Sequence, residues 1–383
     1  MSEEWKELLK SSNRKTLFRE TRDRIVTREY PDQLNHHGLL PAIAALPADA
    51  DHPEIVVYGF RAYDNQRIFR DTRLGDFCRP ALWWSHSDRQ IFLTSLFEHS
   101  LGNGSAVTFS PFVPDLHHFR GSYGGKDVVP LYRDAIATEP NITGGLLDLL
   151  SETYGVTVTP EDLAGYIAGV LGHPGYTERF HDELEVPGPR VPFTKDADLF
   201  QRAVELGKQV IAYQTYAERF PESIGTAKGR VSGGSARVKN DIPDDPDRYP
   251  QNLRAVTYDD NERELHVGEG VIEHVDPRLW AYEVSGLRVV RSWLGYRMRE
   301  RSGRSSSPLD EIRPESWTWE MTKELLELLW VLEGVIALEP AQAELLDEIV
   351  AGELFLTDEL PTPTEAERKA PRVERRQQLS LNI

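Results

Sequence analysis

At 383 residues, with 39% hydrophobic and 28% charged side chains, the chain has the balance of a water-exposed globular protein of two domains, or of one large domain with appendages. No apolar run approaches the roughly 18–20 residues that a membrane span needs, and the N-terminal "MSEEWKELLKSSNRK" lacks the apolar core of a secretory leader. A single cysteine, Cys78, excludes an internal disulfide and a cysteine-based zinc site, so a reduced, cytoplasmic protein is expected.

The net charge of −18 is unevenly spread. Residues 310–360 hold fourteen Asp/Glu against Arg313 and Lys323, whereas residues 287–304 hold Arg288, Arg291, Arg297, Arg299, Arg301 and Arg304 against Glu300 alone. An acidic chain with local positive charge can still bind a polyanion, because salt screens charges beyond about 8–10 Å.

In chain order, residues 3–29 read as a polar helix with Trp5, Leu8, Leu9, Leu17, Ile25 and Val26 as its apolar positions, followed by the Pro/Ala-rich connector 38–53. "EIVVYGFRAYDNQRIFRD" reads as a hairpin turning at Asp64-Asn65, with Phe60 facing Phe69 and Arg61 facing Ile68. It gathers Arg61, Arg67 and Arg70 among four aromatic rings, and those arginines need partners. Short strands continue through "RQIFLTSLF", "SAVTFSPFV" and "DVVPLYR", parted by glycine-rich turns.

From 140 to 220 the pattern turns helical. Thr159 is placed as an N-cap, with Pro160 at N1 and Glu161-Asp162 in the first turn. Turns and short strands return over 225–265. Then "WAYEVSGLRVVRSWLGYRMRERSGR" reads as strand, Gly286 turn and helix. Two acidic helices, "SWTWEMTKELLELLWVLEGVIAL" and "PAQAELLDEIVAGEL", close the fold.

Several chemistries have no signature. "RGSYGGKD" is one residue short of a phosphate loop, and Asp127 stands where a magnesium-binding hydroxyl is needed. There is no G-x-G-x-x-G fingerprint, no [DN]-P-P-[YFW] motif and no glycine-rich adenosyl-methionine turn. The pairs His36-His37 and His117-His118 place neighbours on opposite sides of an extended chain, a poor arrangement for one ion. Asp115 with His117 forms an acid–base pair on paper, with no nucleophile to serve. No catalytic residue, metal ligand or cofactor is expected.

One run carries a resemblance. "GYIAGVLGHPGYTERFHDEL", with Tyr166–Leu171 and His173–Phe180, and then Pro189–Phe193 ("PRVPF") resemble the C-terminal specificity domain of type ISP restriction–modification enzymes. "YGFRAYDNQRIFRD", "VPLYRD" and "YEVSGLRVVRSWLGYR" resemble further pieces of that family in its order, over about residues 50–335. Thr177-Glu178, Phe180 and Ala62 depart from the pattern. The resemblance implies the target-recognition part of single-chain defence enzymes, without the nuclease, translocase and adenine methyltransferase that accompany it there. The chain therefore looks like a recognition domain encoded alone or as a fragment, with catalysis supplied by a separate methyltransferase, translocase or nuclease chain.

Candidate residues divide into two groups. A hairpin pattern shared by enzymes of different specificity points to architecture, so Arg61, Asp64 and Arg67 are assigned to structural pairing, with phosphate contact as the alternative; Arg190 of the "PRVPF" turn joins the structural group. Helical periodicity puts Arg297 among Val289, Val290, Trp293, Leu294 and Tyr296, as a buried partner for a carboxylate. Arg288, Arg291 and Arg299 fall on the opposite side, either a solvated face or a phosphate-contacting one. Base readout needs side chains that reach into the major groove. The glycine-rich stretches 120–126 and 227–240 offer Arg120, Lys126, Lys228, Arg230, Arg237, Lys239 and Asn240, unless they are merely mobile surface loops.

The expectation is an α+β fold comprising an N-terminal helix and connector (1–50), a β-rich lobe (51–138), a helical middle (139–222), a mixed second lobe (223–310), acidic C-terminal helices (311–360) and a disordered tail (361–383). Its expected function is sequence-specific recognition of double-stranded DNA in a bacterial restriction–modification or phage-defence system. The alternatives are a protein–protein adaptor that docks through the acidic segment 310–360, and a fragment of a DNA methyltransferase.

Overall fold

The computed structural model describes residues 1–35, 38–119, 127–300 and 313–370. The N-terminus forms two short helices, α1 (Ser2–Lys10) and α2 (Arg14–Phe18), where one helix over 3–29 was expected. Ser11, Ser12 and Asn13 interrupt it, because their side chains compete for backbone hydrogen bonds. Arg14 then donates to the carbonyls of Leu9, Ile43 and Leu46 at 2.6–2.8 Å, closing α1 and pinning the connector. Trp5, Leu9, Phe18, Val26 and Ile43 form a small core that includes Phe69 and Leu74, so the N-terminal segment packs on the β-rich lobe. Strands β1 (Tyr30–Pro31) and β2 (Leu39–Leu40) pair beyond it.

The hairpin β3 (Ile55–Arg61) and β4 (Asp64–Phe69) turns at Ala62-Tyr63, not at Asp64-Asn65. Ile55 faces Phe69, Val56 faces Ile68 and Arg61 faces Asp64, with a bulge between Gly59 and Arg61. Tyr63 takes the left-handed conformation, φ +63°, which is unfavourable for a bulky residue. Tertiary contacts offset it. The Tyr63 ring packs edge-on against Tyr282 at 5.7 Å, the two hydroxyls lie 2.9 Å apart, and the Tyr63 carbonyl accepts from the Tyr216 hydroxyl.

After α3 (Pro80–Trp84), β5 (Phe92–Ser95) lies between β6 (Thr108–Ser110) and β7 (Asp127–Pro130) in an antiparallel sheet. The helical part is α4 (Leu146–Tyr154), α5 (Pro160–Leu171), α6 (Pro174–Arg179) and α7 (Ala197–Gln214). Thr159 caps α5 as its sequence context predicts: its hydroxyl accepts from the Asp162 amide while the Asp162 carboxylate accepts from the Thr159 amide. Helices α5 and α7 touch backbone to backbone, and a methyl on Gly207 would overlap the Gly165 carbonyl.

The second lobe holds a four-stranded antiparallel sheet in the order β8 (Arg237–Asn240), β11 (Gly270–Glu273), β10 (Glu264–Val267), β9 (Val256–Asp259). Helix α8 (Pro277–Ala281), the tight pair β12 (Glu283–Val284) and β13 (Leu287–Arg288), and α9 (Val289–Tyr296) come next in the chain, with the turn at Ser285-Gly286.

One 33-residue helix, α10 (Trp319–Ala351), replaces the two acidic helices expected. Pro340 leaves the Ile336 carbonyl without its helical donor. Arg278 of α8 supplies one, donating to that carbonyl at 3.0 Å while pairing with Glu339 at 3.1 Å. The helix is the spine of the molecule. Leu325 to Ile336 lie in one core with the four-stranded sheet and α9, and Leu345, Leu346 and Ile349 lie in a second core with α4–α7. Past α10, Arg133 donates to the carbonyls of Glu367 and Lys369, and Glu367 accepts from the Gly144 amide; of the tail expected to be disordered, residues 371–383 lie outside the described residues. The architecture is α+β.

Candidate nucleic-acid interface

The arginines of β3 and α9 sort by the partners the fold gives them. Arg61 is nearly buried. Its guanidinium meets Asp115 and the Phe60 carbonyl at 2.6 Å each and the Tyr296 hydroxyl at 3.1 Å, and it lies 4.0 Å from the Phe60 ring centroid. Asp115 is thereby a partner of Arg61, and it also accepts from the His117 amide and the Tyr58 hydroxyl. His118, buried beside it, donates from Nδ1 to the Gly59 carbonyl, 2.9 Å away, and burial pushes its pKa down to about 4. Among the described residues no group of three His, Cys, Asp or Glu is placed to hold a metal ion.

Asp64 is 2% exposed and faces Arg297, whose two terminal nitrogens approach it at 3.0 and 3.2 Å. The same guanidinium lies 3.5 Å from the centroid of the Trp293 indole and 3.3 Å from Glu324. Val289, Val290, Trp293 and Leu294 are buried, so the inner face of α9 is as the periodicity predicts and Arg297 is the buried partner of a carboxylate. Hairpin and helix form one joint held at Asp64–Arg297 and at Arg61–Tyr296. Arg190 also serves the fold: it donates to the carbonyls of Glu183, Val186 and Gly188, while the Tyr176 hydroxyl bridges its own backbone. Arg67 departs from its assignment. It is exposed opposite Val57 and has no ion pair or hydrogen bond among the described residues.

On the outer side of α9, Arg288 and Arg291 are exposed and unpaired among the described residues. Arg299, past the helix end, is exposed and donates to the Pro246 carbonyl at 3.2 Å.

The glycine-rich stretch 227–240 is not a free loop. Val231 is buried, Gly234 sits on the Trp330 indole, the Ser235 amide donates to Glu333 at 2.7 Å, and Trp330 donates to the Ala236 carbonyl at 3.0 Å. Its cations are mostly occupied. Arg237 folds onto the carbonyls of Gly234 and Ala236 over Trp330, Lys239 meets Glu264 at 2.5 Å, and Lys228 lies 3.8–3.9 Å from Glu218 and Asp88. Arg230 alone of these four cations is exposed without a side-chain partner among the described residues, displayed by a turn in which Thr226 bonds its carbonyl. Asn240 is exposed on β8, opposite Val271. Arg120 and Lys126 lie outside the described residues.

The ten candidate contacts therefore do not form one constellation. Arg288 and Arg291 are brought together, Arg230 stands elsewhere in the sequence on an anchored turn, Asn240 is exposed on β8, and the rest are engaged or outside the described residues. The sequence reading missed the pairing of Asp115 with Arg61, which no local signal marks, and Arg254, an exposed arginine on a turn that packs against α9.

Comparison with known proteins places these elements in a family. The family model of the Type ISP C-terminal specificity domain matches residues 1–328, including the N-terminal segment that the sequence motifs left outside. Among solved structures, the DrdV–DNA complex superposes with a TM-score of 0.54 at 18% identity, covering 79% of this chain and 29% of that one. The ATP-dependent Type ISP restriction–modification enzyme LlaBIII bound to DNA superposes with a TM-score of 0.52 at 13% identity, covering 92% of this chain and 21% of that one. The chain thus spans less than a third of either, and at these identities the likeness is one of fold. No curated protein sequence matches the chain.

Proposed function

The chain belongs to the Type ISP C-terminal specificity domain family, and from that premise we propose that it recognises a short sequence in double-stranded DNA for a restriction–modification system. The observation that carries the reading is the two-sided arginine use of α9. Its inner arginine is bound to Asp64 and Trp293, while Arg288 and Arg291 on the outer side have no carboxylate partner among the described residues of a chain of net charge −18. Phosphate contacts from that face would fix register, and side chains such as Arg230 and Asn240 would read base edges. In this reading methyl transfer, translocation and cleavage are supplied from outside residues 1–383. On this reading the protein would work in the cytoplasm, where its DNA ligand lies. Among the described residues no helix is long and apolar enough to cross a membrane.

The test is selection from a random duplex pool by the purified chain at two salt concentrations. Enrichment of one short motif, weakening as salt rises, is the expected result. Absence of both enrichment and salt-dependent retention at low salt would overturn the reading.

A further inference from the structure

Among the described residues, Arg288 and Arg291 are not the only cations on their side of α9 without a partner. We propose that Arg254 completes a phosphate-contacting ridge with them, built from two elements that are distant in sequence; the proposal rests on the DNA reading above.

Three observations support it. First, the turn Leu253–Ala255 is seated on α9, where a methyl on Gly295 would come within 3.3 Å of the Leu253 side chain. Gly295 lies seven residues beyond Arg288, so at about 100° per residue the two lie on nearly the same side of the helix, about 10 Å apart. Arg254, next to Leu253, therefore stands at the far end of the side that begins with Arg288 and Arg291.

Second, the turn is fixed. The Asn252 side chain accepts from the Arg254 amide at 3.0 Å and donates to Glu300 at 2.8 Å. The carboxylate on the neighbouring strand of chain is thereby engaged by an amide and not by an arginine. Third, the Arg254 side chain is exposed and, among the described residues, has no ion pair or hydrogen bond. Glu283 lies opposite Arg288 in the β12–β13 register without an ion pair between them among the described residues.

Elsewhere the same chain pairs its arginines with carboxylates, as at Arg73–Asp71, Arg89–Glu161, Arg202–Glu348 and Arg248–Glu269. Three guanidinium groups with no carboxylate partner among the described residues, set along one side, repel each other unless an anion is present. A strand of duplex DNA places one phosphate per about 3.4 Å of axis, so a ridge about 10 Å long spans about three of them.

The experiment measures affinity of the full chain for its selected duplex against salt concentration, for R254A, R288A, R291A and the control K239A, whose ammonium is held by Glu264. Removing one arginine–phosphate interaction lowers the slope of log K against log salt by about 0.9. R254A and R288A should each lower it by that amount, equally on unrelated duplexes, with unchanged unfolding midpoints. K239A should leave it unchanged, and R254K should restore it. A wild-type slope for R254A alongside reduced slopes for R288A and R291A would end the ridge at α9 and leave the DNA reading standing. A change in base preference at constant slope would overturn the phosphate role of Arg254. Failure of the wild-type chain to bind duplex in a salt-dependent manner would remove the DNA reading, and this proposal with it.

Discussion

The hairpin–α9 joint and the stretch 227–240 are both rich in arginine, lysine and glycine, yet the fold treats them differently. At the joint, a buried carboxylate and an indole take one arginine inward and leave two outside. In 227–240, backbone carbonyls and nearby acids absorb three cations of four, and the acidic helix α10 holds the loop down through Trp330 and Glu333. The density of cations therefore says little about where a polyanion would sit. What decides is which cations lack a partner after packing is complete.

The largest effect should come from breaking the joint. Asp64 and Arg297 are 2% and 5% exposed. Removing one partner of a buried pair leaves an uncompensated charge and costs about 3–5 kcal/mol. Asp64→Ala should lower the stability measured by urea unfolding by that much, whereas Asp64→Leu combined with Arg297→Met should regain most of it. If Asp64→Ala instead costs less than about 1 kcal/mol, the joint is not what holds the hairpin to α9. Arg237→Ala, which frees the carbonyls of Gly234 and Ala236 and uncovers the Trp330 ring without stranding a buried charge, provides the contrasting measurement.

A second measurement probes the hairpin side of the same comparison through pH. Burial lowers the pKa of His118, beside Gly59 of β3, and of His173, at the start of α6, to about 4. The Nε2 of each is buried without a hydrogen-bond partner among the described residues. Both rings are neutral in the folded state, while the unfolded chain takes up protons near pH 6.5. Their contribution is fully present above that value and is lost as pH falls from about 6.5 towards about 4, by up to about 3 kcal/mol each. Unfolding midpoints between about pH 7.5 and 4.5 should fall accordingly, and His118→Gln should flatten part of that fall. A midpoint independent of pH over this range would show that neither ring is held neutral.

Features governed by neighbours in sequence could be read directly. The Thr159 cap, the glycine-separated strands of the first half, the Ser285-Gly286 turn and the inward position of Arg297 all arise from spacing within a few residues. What could not be read depends on distant partners. Tyr63 moves the hairpin turn because Tyr282 and Tyr216 receive it. Arg61 finds Asp115 across a loop, and Arg254 reaches α9 through Leu253 and Gly295. In each case local chemistry proposed a reasonable alternative, and a partner about forty or more residues away settled the outcome. Arg67 is the reverse case, an arginine with a shared pattern around it and no described partner.

The smallest effect concerns a third way of using an arginine, neither paired inward nor left free. The sequence around Pro340 reads as a helix break, and the continuity of α10 depends on Arg278 donating to the Ile336 carbonyl. Arg278→Ala should cost about 1–2 kcal/mol, since a half-buried carbonyl loses its replacement donor and Glu339 loses its cation. Both contributions vanish together in that variant, so a cycle with Pro340→Ala separates them. Alanine restores the backbone N–H at position 340, and the carbonyl no longer needs the guanidinium. If the carbonyl matters, Arg278→Ala costs less in the Pro340→Ala background than in the wild type. If the two costs are equal, Arg278 acts through Glu339 alone, a partly exposed pair worth about 1 kcal/mol or less, and α10 bridges its proline without help from α8.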